Sequence, residues 1–403
     1  MKKPSNRTPA LKYLAACADV LKATRRNVKT WTKIGERIAE SMLAGGNIYT
    51  PPIARFWPYE FGGRAGGLMG IPGKLELPKS AKDIAFIALP DVRNFKPAEH
   101  EDFQKLIKLP AQIVVNGAAN EWPAGVKPKK KPIFLGGYGV ASGEYAYRGY
   151  GPLTTLRPLG QFLNGWCTTG EAIAACTRAG KMPVIWMSVW LEGSLPRNAA
   201  MTRHDNLREP WSVPLLHDNH YVPPLAAGYP TNAFLDEAEK IHRILVDQAT
   251  KLSKIGQWFA EATRAGRKPY VVAVGHSYPE ILELPEQYPI EWGPTRSDLS
   301  RSIPRRLGKG DVVMHLGYAP VNVDHVRAVL DRGIRFIHTS PYGRPAALKD
   351  HPNFIWLDLP WRPADATVDV PGYSVRIMPM SSTVHTMAYF AIVAEMAERM
   401  GWK

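Results

Sequence analysis

The chain has 403 residues, 45% of them hydrophobic and 22% charged, which suits two to three globular domains and excludes a disordered or fibrous protein. No apolar run approaches the roughly 20 residues of a membrane helix, no apolar segment follows the polar N-terminus, and three cysteines (Cys17, Cys167, Cys176) are too few for a disulfide framework. The expectation is a reduced, cytoplasmic protein. The net charge of +15 is spread over helix faces apart from a short run at Lys127–Lys131, so a solvated basic surface and small anionic ligands are expected rather than nucleic acid.

In chain order, a roughly 3.6-residue apolar stripe predicts one helix over Ala10–Ala44, ended by Gly45-Gly46, and a short strand over Asn47–Thr50. Strand Asp83–Leu89, a helix near Ala98–Ile107 and strand Gln112–Asn116 follow in the order of a parallel α/β sheet. Gly117–Pro152 lacks periodicity and is expected to be a long irregular loop. A helix over Leu159–Ala179 and an apolar strand over Met182–Trp190 come next, and the proline-rich Leu191–Thr231 is expected to be an irregular connector. The second part begins with a helix over Ala233–Arg264 and strand Tyr270–Val274, followed by an irregular insertion, Glu283–Arg306. Strands Asp311–Leu316, Ile334–Thr339 and Asn353–Leu359 and a last helix over Ser382–Met400 complete it.

The two parts echo each other. Lys33–Thr50 (KIGERIAESMLAGGNIYT) matches Lys254–Val271 without a gap at a constant offset of 221, with Lys33, Ile34, Gly35, Ala39, Glu40, Ala44, Gly45 and Tyr49 each on an identical residue. Asp83…Asn94 maps on Asp311…Asn322, and Pro158, Arg178 and Gly180 map on Pro379, Arg399 and Gly401. Gly, Lys and an Ala-Gly stop held in register point to an internal duplication. The expected architecture is α/β, two αβα sandwiches with parallel sheets. The first covers residues 1–228 with an insertion at 117–155 and a connector at 191–228; the second covers 229–403.

These motifs, taken in order, resemble the sugar isomerase (SIS) domain. A helix ends in Ala-Gly-Gly, a strand runs into Gly275-His276-Ser277, and a Gly-Asp-Val-Val strand ends at a turn with Gly317 and Asn322. A Gly-Ile-Arg-Phe-Ile-His-Thr-Ser strand follows, and Ser381-Ser382-Thr383 opens the last helix. The tandem arrangement is similar to the isomerase half of glucosamine-6-phosphate synthase and to the glucokinase regulatory protein. Glu60–Leu68 (EFGGRAGGL) resembles the Glu-x-x-Gly-Arg segment of sedoheptulose-7-phosphate isomerase and the Arg-Ala-Gly-Gly-Leu of bacterial phosphosugar-binding members. The resemblance implies a cytoplasmic homo-oligomer that binds a phosphorylated or acidic sugar and interconverts aldose and ketose forms, without a cofactor.

A phosphate needs donors that lose little entropy on binding, such as helix N-terminal N–H groups and Ser/Thr hydroxyls. Gly275, His276, Ser277, Gly317, Asn322, Thr339, Ser340, Ser381, Ser382 and Thr383 lie at predicted strand ends or helix starts, and are the candidate substrate-binding residues. N-capping by Ser381–Thr383 and a plain turn at Asn322 are the alternatives. Isomerisation needs a base and an acid. The resemblance implies Glu60 as base and His385 as acid, although the position where the family's histidine is expected holds Phe390. Arg64, one turn after Glu60, is a candidate for an anionic group; its alternative is an i,i+4 ion pair.

Pro51-Pro52-Ile53-Ala54-Arg55 replaces the family's Gly/Ser loop in the first half, and Leu89-Pro90-Asp91-Val92 lacks serines. Prolines remove donors, so the first half's phosphate site is expected to be lost and the second copy to hold any such site. His204-Asp205 and His217-Asp218-Asn219-His220 raise a metal site, but loose His/Asp groups in loops more often hydrogen-bond, and no metal is expected. Trp31, Trp166 and Trp258 fit core positions, whereas Trp57, Trp122, Trp190 and Trp211 sit in irregular segments. The competing function is a non-catalytic sugar-phosphate sensor or an assembly protein.

Overall fold

The computed structural model describes residues 8–51, 53, 60–71, 76–89, 100–136, 145–146, 152–202, 213–273, 287–293, 303–317 and 321–402. The long first helix expected from the stripe is two helices, α1 (Pro9–Arg26) and α2 (Val28–Leu43), broken at Asn27. The break is stabilised locally. Asn27 donates its side-chain amide to the Ala23 carbonyl, and Trp31 Nε1 donates to the Thr24 carbonyl, so orphan acceptors at the end of α1 are met.

After β1 (Ile48–Tyr49) come β2 (Ile84–Ala88), α3 (Glu101–Leu106), β3 (Gln112–Asn116) and β4 (Ile133–Phe134), in a parallel sheet of order β1-β2-β3-β4. A short antiparallel pair, β5 (Tyr145–Ala146) and β6 (Pro152–Thr154), leads into α4 (Arg157–Arg178). The region expected to be one irregular loop thus carries the fourth strand of the sheet. Its two residues are too short for any periodicity to show.

Met182–Trp190 is not a sheet strand. Its backbone instead clamps two neighbours: Met69 N–H donates to the Val184 carbonyl, Trp186 N–H to Gly67, and Val184 N–H to Leu215. The connector is not wholly irregular either, since α5 (Ser194–Thr202) lies within it.

The second half repeats the order. The expected helix Ala233–Arg264 is again two, α6 (Tyr229–Asp247) and α7 (Ala249–Arg264), broken at Gln248, which is Asn27 plus 221. β7 (Tyr270–Ala273), β8 (Glu291–Trp292), β9 (Val312–Leu316), α8 (Val323–Asp331), β10 (Arg335–Ser340) and β11 (Phe354–Asp358) follow. They make a parallel sheet of order β11-β10-β9-β7-β8, with Tyr270 opposite Val313 and Arg335 opposite Val312. β8 falls inside the segment expected to be an irregular insertion, and among the described residues it gives this sheet one strand more than the first. An antiparallel pair, β12 (Ala366–Val368) and β13 (Ile377–Pro379), precedes α9 (Ser381–Arg399). The expected fold class, α/β with two helix-flanked parallel sheets related by duplication, is what the chain adopts.

Alternation of side chains along the strands divides the interior. Phe86, Val271, Met314 and Ile337 face one continuous core shared with α1, α2, α4, α6, α7 and α9. Ile87 and Val115 face a smaller cluster with α3, while Val272, Val313 and Phe336 face another with α8. The helices α4 and α9 lie at the centre, and nearly every residue of both is buried.

Two glycines set how closely the layers approach. A Cβ on Gly35 would lie 2.7 Å from the Ala172 backbone nitrogen of α4, and one on Gly256 would lie 2.3 Å from Glu395 Cβ of α9. Gly256 is Gly35 plus 221, so both copies need the same bare contact between the paired helices.

The halves are also tied reciprocally by two buried carboxylates. Glu171 of α4 accepts from Thr32 Oγ1 (3.0 Å), Gly228 N (2.8 Å), Thr231 Oγ1 (2.7 Å) and Thr231 N (3.3 Å), and so caps α6 of the other half. Glu395 of α9 accepts from Ala10 N (3.1 Å) and Ser253 Oγ (3.2 Å), and so caps α1. Ala10 and Thr231, like Thr32 and Ser253, are 221 apart. A carboxylate at a helix N-terminus meets orphan N–H groups and the positive end of the dipole.

Candidate functional site

Among the described residues, the start of α9 gathers a dense set of buried polar groups. Glu60 and Phe61 are helical, Arg64 follows just after the turn beyond them, and Glu60 and Arg64 are both buried, Arg64 with no exposed surface. Gly66 makes that placement possible. Its N–H donates to the Trp186 carbonyl, its carbonyl accepts from Met378 N, its φ is +81°, and a Cβ would lie 2.6 Å from Ala366 Cβ. The segment is therefore pinned between Met182–Trp190 and β13, and the arginine is driven into the start of α9.

Arg64 is fully engaged at both ends of its fork. Nη1 donates to Glu60 Oε2 (2.6 Å) and Ser382 Oγ (2.5 Å), and Nη2 donates to Asp365 Oδ2 (2.7 Å) and Ser381 Oγ (2.8 Å). Glu60 also accepts from Trp166 Nε1 at Oε1 (2.8 Å) and from Ser382 Oγ at Oε2 (2.8 Å). Burial pushes the Glu60 carboxyl above its usual range, with the Arg64 charge opposing the shift. Asp365 accepts from Met380 N (3.1 Å) and Ser381 N (2.7 Å) at Oδ1. A carboxylate of the protein thus sits at the N-terminus of α9, where an external anion would otherwise be held. Asp365 and its neighbour Ala364 have φ of +78° and +68°, and Met378 has +64°, left-handed values costly for residues with a Cβ.

A second group lies beside it. His385, in the first turns of α9, is within 3.3 Å of Thr339 Oγ1 at the end of β10, bonds to the Gly317 backbone, and packs its ring edgewise on Trp361. Burial lowers its pKa to about 4, so the ring is neutral at pH 7. Ser340 is buried at the same strand end, and its Oγ accepts from Tyr342 N (3.2 Å).

On the outer face of the sheet, His315 and His338 are register partners with Nδ1 atoms 2.8 Å apart, His315 stacked on Phe336 and His338 tilted against Trp356. Burial lowers the His315 pKa to about 3 and holds that of His338 well below its ordinary value, so this pair is also neutral. Among the described residues no group of three or more His, Cys, Asp or Glu is placed to hold a metal.

The structure therefore brings Glu60, Arg64, Ser381 and Ser382 into one network, and Gly317, Thr339 and His385 into an adjoining one. Thr383 is buried in the first turn of α9, its hydroxyl without a partner among the described residues. Asn322 is apart from both: it is exposed and caps α8 by accepting from Asp324 N (3.0 Å) and His325 N (3.1 Å). Gly275, His276 and Ser277 lie outside the described residues, as do Arg55, Trp57, Asp91, Asn94, His204, Asp205 and Trp211. His217 bonds Tyr373 Oη through Nε2 (2.9 Å) and packs against His220. Trp166, expected in the core, is there and is also the donor to Glu60. Asp365 was not legible in the sequence. An Ala-Asp-Ala between a proline and a strand gives no sign that its carboxylate will cap a helix 16 residues on.

The first sheet's mouth is built differently. Arg157 opens α4 and pairs with Glu121 (3.1 Å), whose other oxygen accepts from Ala118 N. Asn116 Nδ2 donates to the Gln161 carbonyl, and Gln161 Nε2 donates to the Leu89 carbonyl. Sequence reading did not single out these residues; their only signal is polar residues on an otherwise apolar helix start.

No protein-family model and no curated protein matches the chain. Solved structures of similar shape include the C-terminal domain of glucosamine-fructose-6-phosphate aminotransferase from Francisella tularensis (TM-score 0.49, 11% identity), covering 100% of this chain and 99% of that one. A protein from Salmonella typhimurium LT2 described as a sugar binding protein aligns over 96% of this chain and 99% of its own (TM-score 0.45, 10% identity). A protein from Clostridium novyi NT, assigned as a tagatose-6-phosphate ketose/aldose isomerase, aligns over 97% and 91% (TM-score 0.41, 9% identity). At these scores the likeness is one of overall shape and assigns no chemistry.

Proposed function

We propose that this chain is a tandem-SIS-type protein that binds a phosphorylated or acidic sugar at the mouth of the second sheet, without interconverting aldose and ketose forms. The observation that carries the second clause is the state of Glu60. A base that lifts a proton from carbon needs a carboxylate lone pair facing the substrate. Both Glu60 oxygens are committed to Trp166, Arg64 and Ser382 inside a buried cluster. Arg64 is equally committed to groups of the protein, which leaves it to hold the two halves together rather than to grip a phosphate.

The binding clause rests on the strand ends. Open parallel sheets present ligands with the carboxyl ends of their strands, and here Gly317, Thr339, Ser340 and His385 stand at those ends. A neutral His385 offers hydrogen bonding without charge repulsion or attraction, and the basic balance of the chain favours an anionic ligand.

The test is a thermal-shift screen of sugar phosphates and sugar acids, followed by solvent-deuterium exchange at C1 and C2 of any binder. The expected result is a ligand-dependent rise in Tm, weakened about tenfold in affinity by Ser340→Ala or His385→Gln, with no exchange in wild type or Glu60→Gln. Exchange in wild type that vanishes in Glu60→Gln would restore an isomerase with Glu60 as its base. No stabilisation by any member of the panel would overturn the binding reading.

A further inference from the structure

A cavity of about 260 Å³ opens where residues 186–191 meet the β12–β13 pair, and none of Gly317, Thr339, Ser340 and His385 lines it. Its walls combine Trp186, Leu191, Tyr373 and Val375 with Ser188, Ser374, Asp369 and Arg376. We infer that it is a second ligand site, for a monosaccharide-sized anion: one sugar ring carrying a single phosphate or carboxylate.

The aromatic wall is fixed before any ligand arrives. Tyr373 Oη accepts from Arg197 Nη2 (2.8 Å) and lies 2.9 Å from His217 Nε2. Burial, with His220 and Arg197 nearby, lowers the His217 pKa to about 4, so the ring is neutral, and because Tyr373 Oη already accepts from Arg197 and from Ile185 N (3.4 Å), its own proton is the one left for Nε2. His217 and His220 meet the Tyr373 ring at steep angles, and the Arg197 guanidinium lies over one face of it, 5.8 Å from its centroid, which leaves the rest of the ring to line the cavity. A ring held on these sides is a pre-ordered surface for the apolar face of a sugar, since its ordering cost is met on folding.

The charge balance selects the anion. Asp369 is bridged by Arg362 (2.6 Å), which lies beside the cavity, and by Arg376 of its wall through Nε (2.8 Å), two cations on one carboxylate, so the group as a whole carries a surplus positive charge. Among the described residues the Nη groups of Arg376 have no partner, and its planar fork suits a phosphate or carboxylate. Ser188 and Ser374 supply hydroxyls for the ring oxygens.

The site is also wired to the Arg64 network. Gly66 and Ala364 line the cavity, and each stands within two residues of Arg64 or Asp365. The left-handed backbone at Ala364 and Asp365 is strain of the kind that collects at ligand sites. Occupancy here therefore stabilises the segment that holds Arg64 in place.

The test uses the full chain, with glucose 6-phosphate as the probe and glucose and inorganic phosphate as comparison ligands, in calorimetric titration and thermal shift. Glucose 6-phosphate is expected to bind at millimolar or lower concentration and more tightly than either comparison ligand. Arg376→Gln should weaken it about tenfold, and Ser374→Trp, which fills the cavity from an exposed position, should abolish that binding without lowering the ligand-free Tm. Ser340→Ala, at the strand-end mouth, should leave this component unchanged. Glucose 6-phosphate binding that is indifferent to both cavity variants but lost in Ser340→Ala would overturn the second site while leaving the first intact. Equal affinity for inorganic phosphate alone would overturn the sugar-ring assignment, and absence of any binding would overturn the site.

Discussion

The two central helices α4 and α9 agree at their ends and disagree at their beginnings. Arg178 and Arg399 each close a helix, Gly180 and Gly401 follow with φ of +74° and +65°, and all four keep the 221 offset. At the start, Arg157 is the first residue of α4, whereas its counterpart Met378 lies in β13 and α9 does not begin until Ser381. One mouth opens on an arginine paired with a glutamate of its own half. The other opens on two serines and a buried aspartate, held by an arginine reached from 301 residues away. The difference teaches that packing has kept the shared scaffold alike, while the helix starts, where ligands or charges sit, have been free to diverge.

The strongest way to break this comparison is Arg64→Leu. It strands Glu60 and Asp365 as buried, uncompensated carboxylates, and loss of one partner from such a pair costs about 3–5 kcal/mol. Chemical denaturation should show a loss of this size, and Arg157→Leu, which strands one carboxylate, the half-buried Glu121, rather than two fully buried ones, a smaller one. Equal losses would mean that the two mouths are energetically alike.

Acid should expose the second half first. His385 has a folded pKa of about 4 against an ordinary 6.5, and His315 one of about 3. The unfolded chain binds the protons that the folded one refuses, so stability is fully present above about pH 6.5 and is lost as pH falls through the window down to about 4. For His385 alone the shift corresponds to roughly 3 kcal/mol. Denaturation midpoints measured across this range should fall steadily, and His385→Gln should flatten the fall. A profile unchanged by that substitution would count against a buried neutral His385.

A smaller effect sharpens the part of the duplication that has been kept. Glu171→Gln and Glu395→Gln each remove a charge that caps a helix of the opposite half, at about 1.5–3 kcal/mol for charge-assisted bonds. Glu171, which accepts the four bonds described from Thr32, Gly228 and Thr231, should be the costlier of the two. A reversed order in denaturation experiments would show that the reciprocal caps are not equivalent in the way their geometry indicates.

Much of the fold was legible because its signals are local or periodic. The apolar stripes of α1, α2, α6 and α7, the all-apolar strands and the Ala-Gly stops depend on residues a few positions apart, and the duplication repeats them. The breaks at Asn27 and Gln248 were missed because the stripe continues through them, while the capping that permits them lies in side chains such as Trp31. β4 and β8 were missed because two residues carry no period.

The sequence by itself determined the class of the fold and its repetition, since backbone propensity and apolar patterning act over short range, while Glu60, Arg64 and Ser381–Thr383 became candidates through the family resemblance of their motifs. Only the tertiary structure decided what those residues touch. Arg64 could have been a surface ion pair with Glu60 at i,i+4 or a grip for a ligand's anion. It is a buried cross-link, because Asp365, Ser381 and Ser382 arrive at the same point from more than 300 residues away. Electrostatic partners in a low-dielectric interior are set by packing across the chain, and no spacing along the sequence encodes them.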